Sequence, residues 1–327
     1  MRNDVAHRFI LLLSAFALLV TAGLARSENY PARPIKLIVA QAPGGHSDVL
    51  GRMVAQRMSA ILKQPIIVEN RGGVGGTMGA EAVARARADG YTLLFAGSSN
   101  TTMATTVMND LRYSLDDFSP VGMIARVSYG LAVHPRLPVN TMAELIHHAR
   151  RHAGLLNYAS SGVASTSNVF FELLKGISAV DLVHIPFKGS AIGINELVAG
   201  RVDVVFADLS ALVPLADRGL LRLIAVAGAA RSPKLPTVPT VGEQGFPELA
   251  IEPWYGLMAP RDTASSIIAI LNDALIATLR SDEIREQFDH LGYSRIEATP
   301  EQMQNLMQTE LRSFATFIDP SRLRPER

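Results

Sequence analysis

The sequence contains no cysteine, and this absence excludes three kinds of chemistry. A disulfide framework, a thiolate zinc site and a cysteine nucleophile are all impossible, although the redox compartment stays open. Neither sign of charge is in excess, because the sequence has 31 basic and 30 acidic residues and a formal net charge of +1. No basic run interleaved with aromatic residues occurs, so a nucleic-acid partner has no electrostatic support.

Two further absences bear on the architecture. No repeat with a period of about 20–50 residues is visible, which argues against a solenoid. Beyond the amino terminus, no apolar run reaches the length of about 20 residues that a bilayer-spanning helix needs. The chain has 327 residues, of which 48% are hydrophobic, and this suits two domains of about 150 residues with a large buried core.

The amino terminus has the pattern of a secretory signal. Arg2 and Arg8 flank its charged start, residues 9–19 are almost wholly apolar, and Gly23 and Ala25 are the small residues that signal peptidase requires. A membrane anchor is the alternative, but the apolar run is short for a spanning helix of about 20 residues. We therefore expect a signal peptide at residues 1–25 that is removed after export, and a mature protein in the periplasm.

After this segment, apolar strands alternate with small-residue turns and amphipathic helices. The strands predicted at residues 35–40, 65–69 and 91–96 are followed by polar or glycine-rich turns. Such turns on the carboxyl ends of successive strands imply a parallel sheet with its ligand edge on one side. Between about residues 126 and 250, a second set of strands and helices forms another α/β unit, inserted into the first.

The predicted fold class is therefore α/β, with two domains and an interdomain ligand cleft. Domain 1 comprises residues 26–125 and 251–327, and domain 2 comprises residues 126–250. The chain passes between the domains twice, so the two connections are expected to form a hinge. The turns of both units would then face a shared cleft.

The turn at residues 43–48 is the centre of the functional interpretation. Its glycines allow a tight bend and let the backbone lie bare against a ligand. The helix that follows begins with N–H groups that have no partner inside the helix, and the aligned peptide dipoles make that end positive. A carboxylate can be held there without a charged side chain. The pattern predicts that the chain binds a small carboxylate and releases it unchanged.

A series of short motifs resembles the tripartite tricarboxylate transporter receptors, also called the Bug family. In order, the motifs are YPxxPI at 30–35, APGGxxD at 42–48, VENR at 68–71, GGxxGAE at 75–81, DGYTLL at 89–94, LNYAS at 156–160, KGS at 188–190, VDV at 202–204, RSP at 231–233, LPxVPT at 235–240 and WYG at 254–256. Each motif is weak by itself, but the series in this order and spacing covers nearly the whole mature chain.

The resemblance implies a type II periplasmic binding protein of the Venus-flytrap kind, with a ligand carboxylate held between the two domains. The family pattern and the predicted turns together give the expected ligand-binding residues, which are Ala42, Pro43, Gly44, Gly45, His46, Asp48, Gly97, Ser98, Ser160, Ser161, Ser165, Thr166 and Asp208. No catalytic residue, metal or cofactor is expected. The expected partners are the carboxylate and either membrane transporter subunits or a sensor protein, and the chain is expected to be a monomer.

Several positions depart from the family pattern near the expected cleft. They are Gln41, His46, Asn168, Phe187 and the pair at 207–208. Because these positions lie close to the expected ligand, no relative identifies the solute. His46 either donates to a carboxylate, or makes binding depend on pH through a pKa near 6.5, or has no role.

Other patterns leave competing interpretations open. Lys188 is either a direct ionic partner of the ligand or a solvated lysine on a turn. His148 and His152 have helical spacing that suits a metal, but with no further ligand a solvated basic face is favoured. His46, Ser47 and Asp48 are adjacent, yet adjacency in a turn does not give the geometry of a catalytic triad. The functions considered are therefore a transport receptor, a ligand-presenting subunit for a membrane sensor, and an enzyme on the same fold.

Overall fold

The computed structural model describes residues 30–108 and 110–317. The predicted signal peptide lies outside the described residues. The strands are β1 (Ile35–Val39), β2 (Ile66–Asn70), β3 (Thr92–Gly97), β4 (Phe118–Val127), β5 (Tyr129–Val133), β6 (Asn157–Ser160), β7 (Val183–Pro186), β8 (Val204–Asp208), β9 (Arg222–Val226), β10 (Trp254–Pro260) and β11 (Tyr293–Arg295). The α-helices are α1 (His46–Leu62), α2 (Thr77–Ala84), α3 (Thr102–Val107), α4 (Met142–Arg151), α5 (Thr166–Ser178), α6 (Ser190–Val198), α7 (Leu209–Ala216), α8 (Ser265–Arg280), α9 (Asp282–Leu291) and α10 (Pro300–Phe317).

The strands form two separate sheets, which confirms the two-part α/β fold predicted from the sequence. The first sheet has the order β11-β4-β10-β3-β1-β2, and the second has the order β7-β6-β8-β5-β9. In the first sheet β1 pairs in parallel with both β2 and β3, as the three successive turns had predicted. The prediction of a parallel sheet was wrong for its other half, because β10 is antiparallel to β3 and β4.

The second sheet is also mixed. β6 pairs in parallel with β7 and β8, whereas β5 runs antiparallel to β8 and β9. The chain passes from the first sheet to the second between Val127 and Tyr129, and returns between Val226 and Trp254. The domain boundaries proposed from the sequence lie beside these two crossings and remain a prediction.

Close packing of α1 on the first sheet fixes the position of the turn that precedes it. Leu50, Val54 and Met58 repeat at helical spacing and are all buried. Between them, Gly51 lies so close to β1 that an added Cβ would be 2.9 Å from the Val39 side chain. The amino-terminal end of α1 is therefore held rigidly beside the carboxyl end of β1.

Candidate functional site

A cavity of about 630 Å³ is lined by residues from both halves of the molecule. The first half contains the six-stranded sheet, and the second half contains the five-stranded sheet. The first half contributes residues within the loops at 40–43 and 72–76, and the second half contributes residues within 161–165 and 186–189. All four loops follow the carboxyl ends of parallel strands, where ligands bind in open α/β sheets. Four of the predicted ligand-binding residues line this cavity, namely Ala42, Pro43, Ser161 and Ser165.

Asp48 stabilises the loop between β1 and α1 through contacts with its neighbours. Its carboxylate accepts hydrogen bonds from the Gly44 N–H at 3.0 Å and from the Asn70 side-chain amide at 2.9 Å, and it pairs with Arg52 at 3.0 Å. Burial acts to raise the pKa of Asp48, but these hydrogen bonds and the Arg52 charge outweigh it and hold the pKa below its ordinary value. Asp48 thus fixes the loop through the left-handed residue Gly44, whose φ is +80°.

Gly45 marks the start of α1 and leaves its first N–H groups open. Its backbone is extended, and no side chain caps the helix there. The first N–H groups of a helix lack carbonyl partners and carry partial positive charge. Gly44 and Gly45 therefore lead from the cavity wall at Pro43 into a helix end that suits an anion.

Glycines at 72–76 bring the two halves into contact. Gly75 has φ +65°, and a Cβ there would lie 2.7 Å from the Val163 carbonyl oxygen on the other side of the cleft. A Cβ on Gly76 would lie 2.8 Å from the Ala40 carbonyl oxygen. The sequence predicts this run as a turn, but the run is not among the expected ligand-binding residues. The signal was present, because the run follows a strand parallel to β1.

The loop between β6 and α5 is organised by its own side chains. Ser165 accepts a hydrogen bond from the Asn168 N–H at 3.3 Å and donates to the Gly162 carbonyl at 2.6 Å. The Asn168 side chain accepts from the N–H of Ala164, whose φ of +61° is left-handed. The hydroxyls of Ser161 and Thr166 have no hydrogen-bond partner among the described residues. Ser161 lines the cavity, whereas Thr166 is buried beside it in the chain and does not.

Ser160 has a different environment from Ser161. It is buried, and its hydroxyl lies 2.6 Å from Nε2 of His184 and 3.1 Å from the Gly162 carbonyl oxygen. Burial lowers the pKa of His184 to about 4, with a contribution from the Lys175 charge. The His184 ring also stacks on Tyr158 at 4.8 Å. The Ser160 hydroxyl therefore stabilises the conformation of the loop from its buried side.

His46 does not line the cavity but points into a cluster of tyrosines between the two halves. Its Nε2 shares a hydrogen bond with the Tyr255 hydroxyl of β10 and lies 3.5 Å from the Tyr129 hydroxyl of β5. Burial lowers the pKa of His46, while the negative charge of Asp208 opposes that shift. Of the interpretations left open from the sequence, direct contact with a ligand has no support from this geometry.

Asp208 belongs to the same interface between the halves. The Tyr293 hydroxyl of β11 donates to its carboxylate at 2.9 Å, and the Ser210 N–H at the start of α7 donates at 2.7 Å. Asp208 is 2% exposed. Its carboxylate therefore links the second sheet to the first, rather than lining the cavity as the sequence had suggested.

Gly97 and Ser98 do not line the cavity. The buried Ser98 hydroxyl accepts a hydrogen bond from the Trp254 backbone N–H at 3.1 Å. The Trp254 indole N–H in turn donates at 2.7 Å to Glu310 of α10, whose pKa is raised by burial. Beside Glu310 lies a second cavity of about 690 Å³, but the four loops that line the first cavity do not line it.

The structure offers no support for a metal site in the part of the chain that it describes. Residues 30–108 and 110–317 contain no group of three or more histidine and acidic residues that could hold an ion. The rings of His148 and His152 stack at 4.2 Å, and Nδ1 of His152 is hydrogen-bonded to the His148 carbonyl at 3.0 Å. In the same ranges, no helix combines the length and hydropathy of a bilayer-spanning segment.

Comparison with known proteins gives consistent matches over most of the chain. Residues 50–323 match the model of the tripartite tricarboxylate transporter family receptor. BugT of Bordetella pertussis is 33% identical over 95% of this chain and 96% of its own length. A solved structure described as MatC from Rhodopseudomonas palustris with bound malate has a TM-score of 0.84 at 30% identity, covering 89% of this chain and 100% of that one. Rpa4515 of R. palustris with adipate has a TM-score of 0.82 at 33% identity, covering 88% and 97%.

Proposed function

Because this chain belongs to the tripartite tricarboxylate transporter family of receptors, we propose that it captures a small carboxylate in the cavity between its two sheets. It releases the ligand unchanged, to membrane transporter subunits or to a membrane sensor. The mature protein begins near residue 26, after removal of the signal peptide in the periplasm, and acts as a monomer.

The free hydroxyl of Ser161 is the observation that carries this proposal. It lines the cavity without a hydrogen-bond partner among the described residues, across from the loop that leads into the uncapped start of α1. The free hydroxyl of Thr166 follows at the first residue of α5. Hydrogen bonds from neutral donors to a charged acceptor are each worth about 1.5–3 kcal/mol net, so a few of them hold a carboxylate reversibly.

Two similar structures support the chemical class of the ligand. One is described with malate and the other with adipate, and both molecules carry carboxylates at neutral pH. Each structure matches most of this chain. We therefore assign a carboxylate, rather than a sugar or a cation, to the cavity.

Titration calorimetry on the refolded mature chain tests the proposal. A panel of aliphatic and aromatic mono- and dicarboxylates is expected to contain a ligand of micromolar affinity, corresponding to about −8 kcal/mol. Each ligand is recovered and analysed by mass spectrometry, which is expected to show no chemical change.

Ser161→Ala and Thr166→Val are expected to weaken binding of that ligand by about tenfold each. Ser281→Ala is the matched control, because the Ser281 hydroxyl donates to the Thr278 carbonyl at the end of α8, away from the cavity. Failure of every carboxylate to bind, or conversion of a ligand into a product, contradicts the proposal.

A further inference from the structure

Lys188 is the only charged residue among those described that line the cavity. Its ammonium group has no hydrogen bond or ion pair with any described residue. It is exposed, and it lies one residue beyond Phe187, whose N–H bonds to the carbonyl of Ser160. The positive charge of Lys188 therefore lies on the cavity wall formed by the second half of the molecule.

Gln41 lies on the opposite wall and also has an uncommitted side chain. Its backbone carbonyl accepts a hydrogen bond from Asn70 at 3.1 Å, which fixes the residue in the loop after β1. Its side-chain amide has no partner among the described residues. One free amide and one free ammonium group thus line the same cavity from different halves of the molecule.

The cavity walls between the polar groups are largely apolar or bare. Pro43, Val163, Pro186 and Phe187 contribute apolar side chains, and glycines contribute exposed backbone. The volume of about 630 Å³ lies within the range of about 300–1,000 Å³ that is typical of small-molecule pockets. A single carboxylate bound by the hydroxyls and helix N–H groups leaves most of this space, and the Lys188 charge, without an occupant.

We propose that Lys188 and Gln41 form a second subsite, which binds the far carboxylate of a dicarboxylate whose middle is apolar. The first carboxylate is held by neutral donors, as in the proposed function on which this inference rests. A second carboxylate in the closing cleft loses water and requires a positive partner, because an unpaired buried charge is costly. Lys188 supplies that charge, Gln41 supplies an amide donor, and Phe187 and Val163 pack against the chain or ring between the two acids.

Matched pairs of acids isolate the second subsite. Hexanoate is compared with adipate, and benzoate with terephthalate, by calorimetry on the mature protein and on variants. The wild-type protein is expected to bind at least one diacid about tenfold more tightly than its monoacid, a difference of roughly 1.4 kcal/mol. Lys188→Met is expected to remove this preference and to leave the affinity for the monoacid within about twofold, whereas Lys188→Arg retains it.

Lys63→Met is the matched control for the loss of one positive charge. Lys63 is exposed at the far end of α1, which has 17 residues and is therefore about 25 Å long. Lys63→Met is expected to leave the affinities for the monoacid and the diacid unchanged. Gln41→Leu is expected to lower the affinity for the diacid by a smaller factor, of about three to five.

The outcomes separate the second subsite from the proposed function. Equal weakening of the monoacid and the diacid by Lys188→Met, no effect on either, or an equal effect of Lys63→Met overturns the subsite. Each of these results leaves carboxylate binding itself intact. Failure of the wild-type protein to bind any diacid more tightly than its monoacid also overturns the subsite. Failure of every carboxylate in the larger panel to bind contradicts the proposed function instead.

Discussion

At Asp48, three donors converge on one carboxylate, and the loop that they hold forms part of the cavity wall. Asp48→Ala removes the acceptor for the Gly44 N–H and is expected to lower the free energy of unfolding by about 1–3 kcal/mol. Ligand affinity is expected to fall as well, although Asp48 does not line the cavity. Urea denaturation and calorimetry measure the two effects.

Arg52→Ala is the comparison for this prediction. Arg52 is half-exposed, so its ion pair with Asp48 is expected to contribute less than about 1 kcal/mol. Because the pKa of Asp48 is lowered by folding, its contribution is present above pH 3.8 and is lost as the pH falls through the lower value in the folded state. Equal effects of the two substitutions would argue against an anchoring role for the carboxylate.

His46 makes the stability of the protein depend on pH, at values above those at which most carboxylates titrate. Burial lowers its pKa from 6.5, so the folded protein favours the neutral ring. The stabilisation is complete above pH 6.5 and is lost as the pH falls towards the lower pKa of the folded state. Urea denaturation at several values between about pH 5 and 8 is expected to show a shallower decline for His46→Gln than for the wild type.

The difference between the two curves isolates His46 from other histidines. Burial lowers the pKa of His184 to about 4, and because the substitution leaves His184 in place, its contribution is expected to be the same in both curves. The groups that face His46 are the hydroxyls of Tyr255 and Tyr129 and the carboxylate of Asp208. Identical pH profiles for variant and wild type would contradict the prediction.

Single residues of the cavity were predictable where local sequence determines their place. Pro43 and Ser161 follow predicted strands and open predicted helices, so their position depends on few residues of the chain. His46 was assigned to the ligand from its place in the first turn, and Asp208 from the family resemblance. Their actual partners, Tyr255 and Tyr293, are more than 80 residues away along the chain, and a turn pattern carries no information about such contacts.

At the scale of elements, the glycine-rich segment after β2 determines how closely the two halves approach. A Cβ on Gly75 would lie 2.7 Å from the Val163 carbonyl oxygen. Gly75→Ala is therefore expected to hinder closure and to weaken ligand binding at least tenfold, with calorimetry as the measurement. The left-handed backbone also costs the variant roughly 1–2 kcal/mol of stability.

Gly219→Ala separates these two effects. Gly219 has φ +69°, close to the +65° of Gly75, but a Cβ added there would have no atom within 4 Å. This variant is expected to lose similar stability and to keep its ligand affinity. Equal affinity losses in the two variants would attribute the effect to backbone strain rather than to closure.

Elements with strong periodicity or capping were predicted well, and short ones were not. The strand predicted at residues 65–69 corresponds to β2, and the helix predicted after the turn at residues 43–48 corresponds to α1. The six-residue α3 was missed because threonine favours turns and strands over helices. α7 contains Pro214, and β11 has only three residues, so both are specified by tertiary contacts rather than by local preference.

For the whole molecule, buried hydroxyls that cross between the two halves are expected to favour the closed arrangement. Tyr293→Phe removes the hydrogen bond to Asp208 but leaves the Ser210 N–H bonded to the same carboxylate. Ligand affinity is expected to fall by about two- to tenfold, corresponding to roughly 0.5–1.5 kcal/mol. Small-angle scattering of the free variant is expected to show a larger radius of gyration than that of the wild type.

Tyr113→Phe serves as the control for the loss of a buried hydroxyl. The Tyr113 hydroxyl donates at 2.7 Å to the Asn100 carbonyl within the first half of the molecule. This variant is expected to lose stability without a change in affinity or radius of gyration. A Tyr293→Phe protein that binds as tightly as the wild type would show that the contact with Asp208 does not bias closure.

The chain has one tryptophan, and its place in the fold makes it an optical probe of the first half of the molecule. Trp254 is the first residue of β10, and its indole donates to Glu310 of α10, which packs on β4 of the same sheet. The indole therefore keeps this partner when one half rotates against the other. Fluorescence emission of the unlabelled protein is expected to report unfolding of the first half separately from that of the second, which contains no tryptophan.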